Sequence, residues 1–553
     1  HRPVIIYRNS PMHDILIRNG LIYDGRGQAP YYADLAIDGD VITDIGRVDG
    51  QARQVIDADG LAVSPGFINM MCWANESLIH DGRSQSDIRQ GVTLEILGEG
   101  FSMGPLNDAL KVYMKERQGD IRYDIEWTTL REYLTFLTRR GVSPNVASFV
   151  GAGGVRANVL GFADRRPTAD ELAQMQTLVR QAMADGAVGL SAALIYAPDS
   201  YADTAELIAL ARAAAEYDGL FAVHLRSEGE TFLEALEEFL TIVETSGIRG
   251  EIYHLKASGR RNWPKLEQVI ARVEAVRAAG LPVTADMYTY HASATGLDAM
   301  MPGWVQEGGH KAWVERLRDP AVRERLKAEI ALPSADWENS YHEAGDASKV
   351  LCVSFKNEAL KPLTGKSLAE IAALRGADPV ETAMDLVIED DSRVGCVYFT
   401  MSEDNVRREI QLPWVSFCSD SASLAPEGIF LRSNPHPRAY GSFARLLGRY
   451  VRDEGLVPLE EAVRRLSALP ADNLKLDRRG RLLPGFYADV VIFDPATIQD
   501  HATFDRPHQF ATGVRDVLVN GVAVLRDGEH TGATPGRVVD GPGRKPGRWA
   551  GSD

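Results

Sequence analysis

The chain has 553 residues, of which 45% are hydrophobic and 25% are charged, a composition that fits a globular protein with one large and one smaller domain. Its formal net charge of −17 argues against a groove for nucleic acid. No apolar run reaches the roughly 18 residues of a membrane-spanning helix, so no membrane association is expected. The four cysteines are scattered without a CxxC pair, which argues against a disulfide framework or zinc knuckle and fits a reducing, cytoplasmic compartment.

The two ends of the chain share a sequence pattern that is typical of β-strands and turns. Residues 1–12 stand apart from the rest of the chain, and we expect a vector-derived or disordered leader there. Residues 13–64 alternate short apolar runs with Asn-Gly and Asp-Gly pairs, which are hairpin signals. The same alternation returns late in the chain, in GFYADVVIFDP and VRDVLVNGVAVLRDG. The pattern predicts one small β domain, 13–64 plus 478–541, with a tail at 542–553.

Residues 65–477 alternate strand-like runs with helical patterns such as Ala169–Met183 and Leu266–Ala279. Eight strands alternating with helices predict an α/β fold, a (β/α)8 TIM-type barrel. A polar, helical stretch at about 290–350 separates the last two runs, and we expect an insertion there that acts as a lid. The eight runs are Gly66–Met70, Val92–Leu97, Asn145–Gly151, Ala187–Ala193, Leu220–Leu225, Glu251–Leu255, Pro282–Tyr288 and Pro413–Ser419.

Two of these runs end alike, in a histidine followed by Leu and a cation. One reads LFAVHLRSEG with His224, and the other reads EIYHLKASG with His254, 30 residues later. That spacing is one strand–helix–strand unit, so parallel strands would place both imidazoles at one end of a sheet. Imidazole is the commonest metal ligand among side chains. The repetition favours a metal site over the alternative of two buried histidines with satisfied hydrogen bonds.

Other strand ends add carboxylates and hydroxyls. In a TIM-type barrel the catalytic groups lie at the C-terminal ends of the strands. The second run ends at Glu99, the seventh carries Tyr288 and is followed by His291, and the eighth ends at Asp420. These residues join the two histidines as candidates for one site.

Together these stretches resemble the D-aminoacylase (N-acyl-D-amino-acid deacylase) branch of the amidohydrolase superfamily. The resemblance runs from about residue 13 to 540 and implies a metal-bearing barrel with a small β-sandwich built from both chain ends. It implies hydrolysis of linear amide bonds, as by an N-acyl-D-amino-acid deacylase. The stretches that carry it are DILIRNGLIYDGRG, VIDADGLAVSPGFI, QGVTLEILGEG, HLRSEGE, HLKASGRRNW, TADMYTY, SFCSD, HPRAYGSF and LPGFYADVVIFDP.

The first strand departs from the family pattern. After PGFI the family carries D-x-H-x-H, whereas this chain has Met71 and Trp73 at the two histidine positions. Neither side chain can replace imidazole toward a hard dication. His80, downstream of this stretch, is a weaker candidate for the vacated metal position.

The second strand departs as well, because Glu99 and Gly100 stand where the branch reads N-C-G with a ligating Cys. A catalytic zinc needs about three protein ligands and an open position. By resemblance to one-metal members of the superfamily, we predict one divalent metal per chain, zinc, bound by Glu99, His224 and His254. Glu95 is the fallback carboxylate, and the structural alternative for Glu99 is a plain turn residue.

The remaining roles follow from the predicted chemistry. A carboxylate near a metal-activated water can take its proton and return it to the leaving nitrogen, and Asp420 is the candidate for this general base. Its structural alternative is a helix N-cap in SDSAS. An N-acyl amino acid also carries a free carboxylate, which calls for cations and hydroxyl donors. The substrate-binding candidates are Arg226, Lys256, Tyr288, His291, Arg438 and Tyr440, each of which has a structural ion pair or hydrogen bond as its alternative.

The sequence leaves more than one function open. The first hypothesis is a one-metal hydrolase of a small amide with a free carboxylate, either a deacylase or a related dipeptidase or acyl-amino-acid amidase. The second is a non-catalytic binding protein on a decayed barrel, which the lost first-strand histidines would explain. A cyclic-amide hydrolase has no distinguishing feature here. Nucleic-acid and membrane partners are not expected, and a homo-oligomer is compatible with the sequence.

Overall fold

The computed structural model describes residues 12–544. The predicted leader at 1–12 and tail at 542–553 therefore lie outside the described residues, apart from Met12 and 542–544. The strands in chain order are β1 (Met12–Ile22), β2 (Tyr31–Asp38), β3 (Val41–Gly46), β4 (Gln51–Asp57), β5 (Ala62–Pro65), β6 (Phe67–Asn69), β7 (Val92–Leu97), β8 (Asn145–Ser148), β9 (Val150–Gly151), β10 (Gly189–Ala193), β11 (Leu220–His224), β12 (Arg249–Ile252), β13 (Val283–Met287), β14 (Ser293–Gly296), β15 (Val350–Ser354), β16 (Lys366–Ser367), β17 (Gly395–Tyr398), β18 (Val415–Phe417), β19 (Val490–Phe493), β20 (Val514–Val519), β21 (Val522–Arg526) and β22 (Glu529–His530).

The helices follow the sequence signals closely where capping residues are present. Thr168 forms a capping box with Glu171 at the start of α6, and Asp203 caps α7. Within residues 12–544, no helix combines the length and apolarity needed to cross a membrane. The helices are α1 (Ser77–His80), α2 (Gln85–Ile88), α3 (Asp108–Arg117), α4 (Leu130–Arg140), α5 (Ala152–Leu160), α6 (Ala169–Ala184), α7 (Thr204–Ala215), α8 (Phe232–Ser246), α9 (Lys265–Ala278), α10 (Gly303–Gln306), α11 (His310–Arg316), α12 (Pro320–Ile330), α13 (Ser340–Ala344), α14 (Leu368–Arg375), α15 (Pro379–Asp390), α16 (Glu403–Ile410), α17 (Arg438–Arg445), α18 (Leu459–Leu466) and α19 (Ala468–Asn473).

Strands from both chain ends form one nine-stranded sheet. Its order is β22-β21-β20-β19-β5-β1-β2-β3, with β4 paired to β1. The central junction is antiparallel pairing of β5 with β19, which are more than 400 residues apart in sequence. Leu35 and Ile37 from one end share a buried apolar cluster with Ile492 and Leu518 from the other. The chain ends therefore fold as one unit around a common core.

The central strands are parallel and lie in two sheets, in the orders β6-β7-β8 and β18-β13-β12-β11-β10-β9. β8 and β9 are separated by a single residue, Phe149, whose amide donates to the carbonyl of Leu97. At the other edge, the amide of Met70 donates to the carbonyl of Phe417 over 3.3 Å. Because the pairings are parallel, the C-terminal ends of these strands lie on one side. The nearly continuous burial of β7 and β11 is typical of parallel strands covered on both faces.

The segment between β13 and β18 is longer than the predicted insertion at 290–350. It contains a four-stranded sheet in the order β14-β17-β15-β16 together with α10–α15. A buried cluster of its own runs from Leu297 to Tyr398. β17, which lies beyond residue 350, pairs antiparallel with both β14 and β15, a long-range pairing that sequence periodicity does not reveal.

Candidate metal centre

Glu99, His224 and His254 meet at the C-terminal side of the parallel strands. His224 is the last residue of β11, and His254 follows β12, the neighbouring parallel strand. Glu99 Oε1 lies 3.5 Å from His224 Nδ1 and 3.3 Å from His254 Nε2. All three residues are at most 5% exposed. His254 has a left-handed backbone with φ of 34°, held by its amide donating to Asp286 Oδ1 over 2.6 Å.

The electrostatic environment suits a cation. Burial would raise the pKa of Glu99, but the two imidazoles outweigh it and lower the pKa. Burial lowers the pKa of His224, which favours the neutral ring. Burial and Lys256 would lower the pKa of His254, yet Glu228 and Glu99 outweigh them and raise it to about 10. A metal ion bound there must displace that proton, so binding should release protons and weaken at low pH.

The donor set fits a divalent metal ion. The three side chains can each offer one ligand atom, and these atoms lie within 4.8 Å of one another. Among residues 12–544, they are the one group of three or more His, Cys, Asp or Glu residues that meets this geometry. Two imidazole nitrogens and one carboxylate oxygen are ligands that zinc prefers, and three protein ligands leave a position open.

Glu228 is a buried residue at this centre that the sequence interpretation missed. It follows β11 in the HLRSEG stretch, and its Oε1 lies 3.0 Å from His254 Nδ1 and 2.7 Å from Lys256 Nζ. Its Oε2 lies 3.5 Å from His224 Nε2. Burial would raise the pKa of Glu228, but Lys256 and the two histidines lower it to about 2. The available signal was a carboxylate four residues after a ligand histidine.

Asp420 follows the eighth central strand, three residues after the end of β18, and both of its carboxylate oxygens have partners. Trp73 Nε1 donates to Oδ1 over 3.2 Å, and Arg438 Nη1 lies 2.7 Å from Oδ2. The amide of Asp420 donates to the carbonyl of Met71. The residues at the family's two histidine positions therefore hold Asp420 by its side chain and its backbone.

Lys256, Tyr288 and Arg438 lie around the same centre. The Arg438 guanidinium stacks on the Tyr288 ring at 4.4 Å, and Lys256 Nζ is 5.8 Å from that ring. Tyr288 also packs edge-on against His254. Arg438 is 3% exposed, and its Nε has no hydrogen-bond partner. These three predicted substrate-binding residues are thus brought together beside the histidines.

Three other predicted substrate-binding residues make contacts of a different kind. Arg226 forms an ion pair with Glu238 and donates to the carbonyls of Ser200 and Ala202, as in the structural alternative for this residue. Tyr440 packs with Ala439 and Ala502 in a separate cluster and is hydrogen-bonded to His508. His291 is partly exposed and lies 3.5 Å from Glu403. The sequence places these residues near strand ends, but it does not show whether their side chains face the metal centre or the surrounding surface.

The two weaker metal candidates lie elsewhere. His80 is exposed and packs edge-on against Phe430, so it does not reach the vacated position. Glu95 is fully buried and accepts hydrogen bonds from Ser84 and, at 3.4 Å, Asn69. It does not join the Glu99 group.

The insertion docks beside the centre through two carboxyl groups. The amide of Glu228 donates to Glu338 Oε2 over 2.5 Å, and Ser258 Oγ donates to Glu343 Oε2 over 2.6 Å. Gly229 and Gly259 leave the room for Glu343, since a side chain at Gly229 would collide with its Oε1. A neighbouring cavity of about 600 Å³ is lined by both parts of the chain, including Trp263 and Phe399.

This docking should depend on pH. Burial and the charge of Glu228 raise the pKa of Glu338 from 4.5 to about 8. Because the folded pKa is raised, the stability that a neutral Glu338 contributes is complete below about pH 4.5 and is lost as pH rises through about 8. We expect the melting temperature of Glu338→Gln to fall less than that of the wild type between pH 5 and 9.

The exposed Glu315 of the same insertion provides the control, as Glu315→Gln should leave the pH dependence unchanged. If the melting temperatures of the wild type and Glu338→Gln fall by the same amount between pH 5 and 9, the assignment is wrong.

Comparison with known proteins places the chain among enzymes. Residues 95–525 match the family described as the amidohydrolase family. The chain belongs to the amidohydrolase family. The predicted resemblance and enzyme class, a hydrolase of carbon–nitrogen bonds, are thereby confirmed. D-aminoacylase of Alcaligenes xylosoxydans xylosoxydans is 32% identical over 536 residues, covering 96% of this chain and 98% of the relative.

Solved structures of the same branch agree. The N-acyl-D-glutamate deacylase of Bordetella bronchiseptica, solved with zinc and a phosphonate mimic of the tetrahedral intermediate, is 31% identical with a TM-score of 0.79. The match covers 96% of this amidohydrolase and all of that chain. A D-aminoacylase structure described by one-metal activation and second-metal attenuation has a TM-score of 0.78, with 31% identity and the same coverage.

Proposed function

We propose that this amidohydrolase is a metal-dependent hydrolase of linear amides, an N-acyl-D-amino-acid deacylase or a close relative. The observation that carries the proposal is the buried convergence of Glu99, His224 and His254 at the strand ends. Relatives with deacylase names match nearly the full length of the chain, which supports the substrate class.

The fold that we infer is a closed (β/α)8 barrel with a β-sandwich from both chain ends. Two links between the parallel sheets support closure: Phe149 is the single residue that connects β8 to β9 at one edge, and the Met70 amide donates to the Phe417 carbonyl at the other. We propose 65–477 as the barrel and 13–64 plus 478–541 as the second domain. The shared apolar cluster of the two chain ends supports that division.

Glu99, His224 and His254 are the residues that would hold the ion, which we propose to be a single zinc. When bound there, a divalent ion would act as a Lewis acid that activates water and polarises the scissile carbonyl. We assign to Asp420 the role of the general base, which would accept a proton from water and return it to the leaving nitrogen. Trp73 and Arg438 fix the orientation of its carboxylate.

We assign the substrate carboxylate to Arg438, with Tyr288 beside it. Arg438 Nε is buried and unpartnered, so a carboxylate oxygen would satisfy it. Arg226, Lys256 and Tyr440 are left out of this assignment because their polar atoms are engaged elsewhere.

A substrate panel tests the proposed function. We expect the zinc-loaded protein to release free amino acids from N-acetyl-D-amino acids, measured as primary amine, faster than from their L enantiomers. Dipeptides in the same panel test the related dipeptidase activity. No turnover of any linear amide by protein with one zinc bound would favour a non-catalytic binding protein.

Trp73 should restrict the site to one metal. Its indole donates to Asp420 where the family has a histidine, and indole has no lone pair for a metal. We expect zinc titration to saturate activity at one equivalent and further zinc to leave the rate unchanged. Inhibition by a second equivalent, paralleled by a second bound ion in elemental analysis, would contradict the one-metal assignment.

A further inference from the structure

We propose that Glu228 is a positioning residue that orients both metal-binding imidazoles at once. The proposal rests on the proposed metal site and adds a residue that no motif assigned. Glu228 is 3% exposed and lies in the loop that follows β11, four residues after His224. Its side chain reaches the space between His224 and His254.

Each imidazole lies between two carboxylates. Glu99 faces Nδ1 of His224 at 3.5 Å and Nε2 of His254 at 3.3 Å. Glu228 faces the opposite ring nitrogens, Nε2 of His224 at 3.5 Å and Nδ1 of His254 at 3.0 Å. The nitrogens toward Glu99 are those that the metal would use. The nitrogens toward Glu228 are therefore the ones that must carry the protons.

The proton location matters because a neutral imidazole binds a metal only through its unprotonated nitrogen. A carboxylate accepts hydrogen bonds, so Glu228 favours N–H on the side of each ring that it faces. The lone pairs are then left on the side of Glu99. The Glu228 side chain thereby favours, in both histidines, the tautomer whose lone pair points toward Glu99.

At His254, Lys256 competes with Glu228 for Nδ1. Its Nζ lies 2.7 Å from His254 Nδ1 and 2.7 Å from Glu228 Oε1. An ammonium that donates to Nδ1 would leave the proton on Nε2, where it blocks the metal. Glu228 Oε1 pairs with the Lys256 ammonium and also lies 3.0 Å from Nδ1, so its negative charge favours a proton on Nδ1, which is the tautomer that can bind a metal.

The backbone of Glu228 is also fixed. Its amide donates to Glu338 Oε2 over 2.5 Å, and its carbonyl accepts from the amide of Ser258 over 2.7 Å. The loop is thus tied on one side to the insertion and on the other to the strand end that carries His254. A side chain on such a braced loop loses little conformational entropy when it orients the rings.

Zinc affinity tests the proposal without relying on turnover. We expect Glu228→Gln to bind zinc about 10- to 100-fold more weakly than the wild type, measured by competition with a chromophoric chelator. The visible absorption spectrum of the cobalt-substituted variant should also change. Glu230→Gln, on the same loop but exposed, is the matched control and should bind zinc like the wild type.

Glu228→Asp keeps the acceptor but shortens its reach, so its zinc affinity should lie between those of the wild type and Glu228→Gln. Circular dichroism verifies the fold of each variant, and Glu228→Asp carries the test if Glu228→Gln does not fold. Affinity and cobalt spectra unchanged in the folded variants would overturn the positioning role. A wild-type protein that binds no zinc would instead overturn the proposed function.

Discussion

His224→Ala is expected to lose both the bound metal and the amide hydrolysis. The substitution removes one of three ligands from a centre that has no fourth His, Cys, Asp or Glu within its geometry among residues 12–544. Activated water has a pKa near 7 instead of about 16, so loss of the ion should lower kcat/KM by about a thousandfold or more. Elemental analysis of dialysed protein and a kinetic assay measure the two effects separately.

Glu99→Ala should behave in the same way, because Glu99 is the anionic member of the group and faces both imidazoles. His80→Ala is the control, since His80 is exposed and lies outside the group. It should retain metal and activity. A His224→Ala variant that keeps a full equivalent of zinc would show that the ion binds elsewhere.

Local periodicity in the sequence predicted several of the strands and indicated the candidate ligands that lie together. β7 coincides with the predicted Val92–Leu97, and β11 and β13 lie within their predicted runs. His224 and His254 could be paired in advance because a strand–helix–strand unit brings successive strand ends together. Glu99 followed from the same rule on the second strand.

The features that the sequence did not predict depend on contacts between distant segments. Trp73 and Asp420 are separated by 347 residues, and no spacing rule connects them. Glu338 reaches the loop of Glu228 from a segment 110 residues further along the chain. Glu228 was missed for a different reason, since a loop residue has no periodic signal and its role depends on where the side chain turns.

The contacts of Met71 and Trp73 show what these two residues do in place of the family's histidines. At the family's histidine positions, Trp73 donates through its indole to Asp420, and Met71 accepts the Asp420 amide through its carbonyl. The segment after the first strand therefore contacts Asp420, although it offers no imidazole to a metal. Arg438 completes the enclosure of that carboxylate.

Asp420→Asn is consequently expected to separate proton transfer from metal binding. The amide keeps the shape of the side chain and an acceptor for Trp73 but cannot take a proton from water. We expect kcat to fall about 100- to 10,000-fold, the range for loss of a general base, while zinc content stays at one equivalent. Steady-state kinetics and elemental analysis of the same preparation measure both quantities.

Trp73→Phe distinguishes proton transfer from orientation. It removes the hydrogen bond to Oδ1 but leaves the Asp420 carboxylate and the Arg438 pair, so the loss of kcat should be much smaller than for Asp420→Asn. Asp420→Asn also leaves Arg438 without its buried counter-charge, which should lower the melting temperature. A folded, zinc-loaded Asp420→Asn protein with wild-type kcat would exclude Asp420 as the base, because no proton acceptor would remain at that position.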